Sequence, residues 1–104
     1  MANYEAIEDL RTQLEIPNDG TVSRTIHDDK RVKVVLLGMA GGQEMSRHSA
    51  ELPVMVQVLQ GQVRFSLDGD ERELSIGSWV FMEANVPHSV YARENAILLL
   101  TLLR

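Results

Sequence analysis

The 104 residues contain no cysteine. That excludes a disulfide framework, a thiol nucleophile and a thiolate zinc site, and any metal would have to be held by histidine, carboxylate or amide groups. Positive charge is scarce as well: ten Lys and Arg stand against fifteen Asp and Glu, for a net charge of −5. With no basic stripe and no helix-turn-helix segment, neither nucleic-acid binding nor a DNA-reading sensor is expected. Long hydrophobic runs are also missing. The most apolar tract, Ala96 to Leu103, is eight residues, against the ~20 a membrane-spanning helix needs, and it reads as a buried strand. The opening MANYEAIEDLRTQLEI lacks a basic stretch followed by an apolar core, so no secretory signal is expected. The expectation is a cytoplasmic protein with no membrane partner.

What is present fits a single globular domain over residues 1–104, since this length supports one core but not two. Tyr4, Ile7, Leu10, Leu14 and Ile16 recur at near-helical spacing, with Glu5, Glu8 and Asp9 in the early turns. Pro17-Asn18-Asp19-Gly20 then supplies a stop, predicting a short helix over about 3–16. From about residue 20 to 104 the pattern changes. TVSRTIH, RVKVVLLG, VMVQVLQG, VRFSLDG, RELSI, SWVFMEA, HSVYAR and AILLLTLL are short and rich in β-branched and apolar residues. They are separated by turn signals such as His27-Asp28-Asp29-Lys30, Asp68-Gly69-Asp70 and Asn85-Val86-Pro87. Eight or nine strands at this spacing predict an all-β sandwich or barrel.

Alternation within VMVQVLQG puts Val54, Val56 and Val58 on one face and Met55, Gln57 and Leu59 on the other. By the same parity His48 shares a face with Ala50 and also with Glu44, while His88 shares one with Val90 and Ala92. The second face is not simply polar. Met55, Leu59, Trp79 and Phe81 predict a covered outer sheet, with a partner subunit as the natural cover and the N-terminal helix as the alternative.

Two glycine-punctuated stretches each carry one histidine: Gly42 to Gly61, with His48, and Gly77 to His88. They resemble the two signature motifs of the cupin family. The first of these is a glycine, five residues, His-x-His, three or four residues, a Glu, six residues and a closing glycine. Counted back from Gly61, the glutamate position holds Val54, the second histidine position Ala50 and the first His48. In the second motif Gly77 opens, Glu83 and Asn85 replace a proline and a glycine, His88 matches, and Ala92 replaces an asparagine. The resemblance spans roughly residues 38 to 92.

It implies an all-β, cupin-type double-stranded β-helix (a jelly-roll barrel) behind the short N-terminal helix, assembled as a homodimer. It also places His48, Ala50, Val54, Val56, His88 and Val90 around an interior pocket for a small organic ligand. The family holds a divalent metal with three histidines and a glutamate. Here His48 and His88 remain, so a Zn, Ni, Fe or Mn ion would be weakly held. The reading is therefore a ligand-binding barrel. Its alternative is a metal-dependent enzyme of dioxygenase, isomerase or decarboxylase type acting on a small oxygen-rich substrate. Glu44, Glu51, Glu83 and Gln43 are possible substitute ligands by position but read as solvated side chains, because an unpaired buried carboxylate costs several kcal/mol. His27, beside Asp28 and Asp29, reads as a solvated turn residue outside the site.

Overall fold

Nine strands account for nearly all regular structure in the computed structural model, which describes residues 3–104. In chain order they are β1 (Thr21–Asp28), β2 (Val32–Met39), β3 (Glu44–His48), β4 (Val54–Gln60), β5 (Val63–Leu67), β6 (Asp70–Leu74), β7 (Trp79–Met82), β8 (His88–Ala92) and β9 (Ala96–Leu103). They form two antiparallel sheets: five strands in the order β1-β2-β9-β4-β7 and four in the order β3-β8-β5-β6. The inner faces pack on each other. Met39, Val54, Val56, Val58 and Leu98 come from the larger sheet, and Val63, Phe65, Leu74, Val90 and Ala92 from the smaller. The alternation anticipated in β4 holds: Val54, Val56 and Val58 are buried while Gln57 is exposed.

Tight turns set the register. Asp68 and Gly69 both have positive φ, the pairing that a two-residue hairpin between twisted strands requires, and they join β5 to β6. Gly61 joins β4 to β5 with φ +80, and a Cβ there would lie 2.2 Å from the Asn95 carbonyl oxygen and 2.9 Å from Ala96 Cα. Two constraints thus act on one residue, left-handed backbone and contact with a neighbouring chain segment, and only glycine meets both.

The helix expected over about 3–16 is not formed. A four-residue 3-10 turn, Leu10–Gln13, is all that appears, capped by the Asp9 carboxylate accepting from the Arg11 amide. The apolar spacing serves a different purpose. Leu14 lies against the backbone of Gly38 on the outer face of the larger sheet, with its Cδ2 2.3 Å from where a Cβ would stand. Ile7 and Leu10 line a groove with Ile26 and Val34 and another with Leu59. An extended strap reaches more of a flat sheet than a helix of the same length, so tertiary contact outweighs a weak local preference.

His27 departs from expectation as well. It sits on β1, half-buried, with Nδ1 2.5 Å from Glu5 Oε1 and Nε2 2.7 Å from Asp29 Oδ2. The imidazole clips the strap to the β1–β2 turn, and the two carboxylates, Asp29 foremost and then Glu5, raise its pKa above the ordinary histidine value. The strap leaves Trp79 and Phe81 on the edge strand β7 uncovered, at 59% and 40% exposure.

Candidate functional site

His48 and His88 stand forty residues apart in sequence and directly opposite each other in the β3–β8 ladder. Their ring centroids are 4.2 Å apart. EMSRH carries too little β signal to stand among the strands read from composition, although the parity argument treated it as extended, and the pairing of β3 has one irregularity that decides the site. Glu44 faces Tyr91 and Met45 faces Val90, but His48 faces His88, so Ser46 and Arg47 together oppose Ser89. This bulge inserts one residue and inverts the parity of everything before it. Met45, not Glu44, consequently shares the inward face with His48, and Glu44 is exposed. The parity that paired Glu44 with His48 is therefore wrong on this strand.

Each ring is held in the same way. His48 Nδ1 donates to the Ser46 carbonyl oxygen at 2.7 Å, and His88 Nδ1 donates to the Val86 carbonyl oxygen at 2.9 Å. A carbonyl oxygen can only accept, so both Nδ1 atoms carry the proton and, in the neutral rings, both Nε2 atoms keep a lone pair. The bulge residue Ser46 supplies one of these carbonyls, and the turn containing Asn85, at φ +69, precedes the other. The Asn85 amide donates to the Ala50 carbonyl oxygen at 2.7 Å, which ties the loop after β3 to the loop before β8. His88 is buried and stacks on Phe65, with ring planes 9° apart. Burial, aided by repulsion from His48, pushes its pKa below the ordinary histidine value despite the Val86 hydrogen bond. His48 stands at the exposed rim.

The pair opens onto a cavity of about 200 Å³ between the sheets. All six residues anticipated at a pocket, His48, Ala50, Val54, Val56, His88 and Val90, line it. The sequence reading did not place Leu37, Met45, Phe65, Met82, Leu98, Leu100 or Leu102 there, though these complete the wall. Alternation in VRFSLDG carried a usable signal for Phe65, whereas AILLLTLL is nearly apolar on both faces and does not by itself say which β9 leucines turn inward; Met45 had no signal, because it depends on the bulge. Among the described residues the two imidazoles are the only polar side chains in the lining.

That donor set does not fit a resident Zn, Ni, Fe or Mn ion. The family's remaining positions hold Ala50 and Val54, whose side chains have no lone pair. Glu44, Glu51 and Glu83 are exposed, Gln43 hydrogen-bonds Asp19, and among the described residues no group of three or more His, Cys, Asp or Glu converges. The other heteroatoms at the wall are the Met45 and Met82 thioethers, soft ligands poorly matched to these ions.

A two-sheet jelly roll with a motif-borne imidazole pair inside it defines a class of protein, and sequence comparison agrees. The cupin domain model matches residues 32–103, and the chain belongs to the cupin family. A conserved protein of unknown function from Streptococcus pyogenes is 27% identical, with a TM-score of 0.86 over 99% of this chain and 90% of that one. A cupin superfamily protein from Desulfitobacterium hafniense is 19% identical, with a TM-score of 0.87 over 97% and 93%. KdgF from Halomonas sp. is 22% identical, with a TM-score of 0.75 over 82% of each chain. No curated protein matches the sequence. Among the described residues no helix is long and apolar enough to cross a membrane.

Proposed function

We propose that this cupin is a small-molecule binding barrel that seats an organic ligand in the cavity against the His48–His88 pair. One observation carries the reading: an interior space of about 200 Å³ with apolar walls and two adjacent, oriented imidazoles. An apolar wall with a few convergent polar groups is how small-ligand sites are generally built. The metal-dependent enzyme reading has less support, because the donor set around His48 and His88 falls short of what a divalent ion needs. The test combines a thermal-shift screen of small organic compounds with elemental analysis of the purified protein, on wild type and on His48→Ala and His88→Ala. Ligand-induced stabilisation that both substitutions weaken supports the binding barrel. Near-stoichiometric metal that both substitutions abolish would instead establish the metal-dependent reading.

The second copy of a homodimer is proposed to cover Trp79 and Phe81. Both aromatics lie on β7, an edge strand of the larger sheet, beside the half-buried Met55 of β4. An uncovered edge strand offers unpaired backbone groups together with its side chains. A two-fold axis beside β7 would bury both.

A further inference from the structure

The cavity's chemistry narrows the ligand further, given that it is a binding site. We infer that the ligand is a small, mostly hydrocarbon molecule with one O–H donor, of the phenol type, seated with its hydroxyl on His88 Nε2 and its ring among the aliphatic side chains.

The body follows from size and lining. An apolar cavity of ~150 Å³ holds benzene, and the space here is about 200 Å³, so a single ring with a small substituent, about seven to ten non-hydrogen atoms, fits. Val54, Val56, Leu98, Leu100 and Leu102 offer no hydrogen bond from their side chains. A sugar or polyol would leave most of its hydroxyls buried without partners, which costs far more than one hydrogen bond returns. This disfavours the oxygen-rich substrates that the family resemblance suggested.

The head group follows from the fixed tautomers. With both Nδ1 protons committed to the Ser46 and Val86 carbonyls, the neutral pair offers lone pairs at Nε2 and no donor. A hydroxyl satisfies one lone pair directly. A carboxylate meets like against like unless it arrives with a proton. His88, the buried member, is the acceptor, while His48 at the rim remains open to water.

The test is a titration at pH 8, followed by NMR of the histidine ring nitrogens and by calorimetry, with four probes: p-cresol, toluene, benzoate and D-ribose. The expected order places p-cresol about threefold to tenfold tighter than toluene, the worth of one hydrogen bond. Benzoate should bind at least about tenfold more weakly than p-cresol, and D-ribose should show no binding. The His88 Nε2 resonance should move on adding p-cresol but not toluene. His88→Leu should erase the preference of p-cresol over toluene. Ala50→Leu, on a loop where the fold is more tolerant, should weaken p-cresol and toluene alike by narrowing the cavity.

Equal binding of p-cresol and toluene, with His88 Nε2 unmoved, overturns the hydroxyl assignment. Tightest binding by benzoate or D-ribose, with shifts at cavity residues, overturns the ligand class and leaves the binding barrel standing. No binding by any probe, together with no stabilising compound in the wider screen, overturns both.

Discussion

Returning the two missing donors tests whether Val54 and Ala50 occupy the places the family motif assigns them. Val54 is 3% exposed, and its partners on the flanking strands are Met82 and Leu102. A carboxylate at this position finds no donor on either flanking strand, and the neutral His48 and His88 rings at the same cavity offer only Nε2 lone pairs. For Val54→Glu alone, the unpaired buried acid should cost about 3 kcal/mol, equivalent to a fall in Tm of roughly 10–20 °C for a domain of this size. Burial raises the folded-state pKa of the new carboxyl. The loss should therefore be greatest above that raised value and partly relieved as pH falls through it, where the acid is neutral.

Adding Ala50→His places a third imidazole and the carboxylate at the cavity with His48 and His88. A divalent ion at a hundred times its Kd then contributes about 2.7 kcal/mol of stability, nearly offsetting the cost. The assay is thermal melting of wild type, single and double variants in chelator and in saturating Zn, Ni or Mn. Recovery of about 10 °C by metal in the double variant only is expected. A folded double variant whose Tm does not respond to metal would refute the register that brings Val54 and Ala50 to the imidazole pair.

Gly61→Ala should lose about 3 kcal/mol or more, because strained backbone and a clash with the Asn95–Ala96 backbone act together. Gly20→Ala, with similar φ but open space around it, should lose only about 1 kcal/mol; equal losses in chemical denaturation would deny the contact its role. His27 has a raised folded-state pKa, so its clip on the strap is present in full below the ordinary histidine value and is lost as pH rises through the raised one. The Tm gap between wild type and His27→Gln should accordingly be widest near pH 6 and close toward pH 9, and a gap constant with pH would count against the clip. Sedimentation should show a dimer that Trp79→Ser with Phe81→Lys converts to monomer without unfolding; a monomeric wild type at high concentration would remove the proposed interface.

Much of the fold could be read from the chain because its signals are local. Alternating apolar residues in VMVQVLQG, the Asp68-Gly69 turn and the glycine at position 61 each specify geometry through their own backbone and immediate neighbours, and the structure carries them as expected. The glycine spacing also counted His48, Ala50 and Val54 to positions that do line the cavity. Other features depend on which segments meet in space. EMSRH is a strand only because β8 pairs with it, and the bulge that turns Met45 inward and Glu44 outward is a property of that pairing. The 3–16 segment has helical spacing but lies as a strap with a single 3-10 turn, because Gly38 leaves room for Leu14 and because Glu5 reaches His27. Residue order thus determined eight of the nine described strands, most of the turns and the two imidazoles. Each ring spends its Nδ1 proton locally, on the carbonyl two residues back, but tertiary contact alone decided that those imidazoles face each other above an apolar cavity, since a ladder pair or a packed wall exists only where distant segments are brought together.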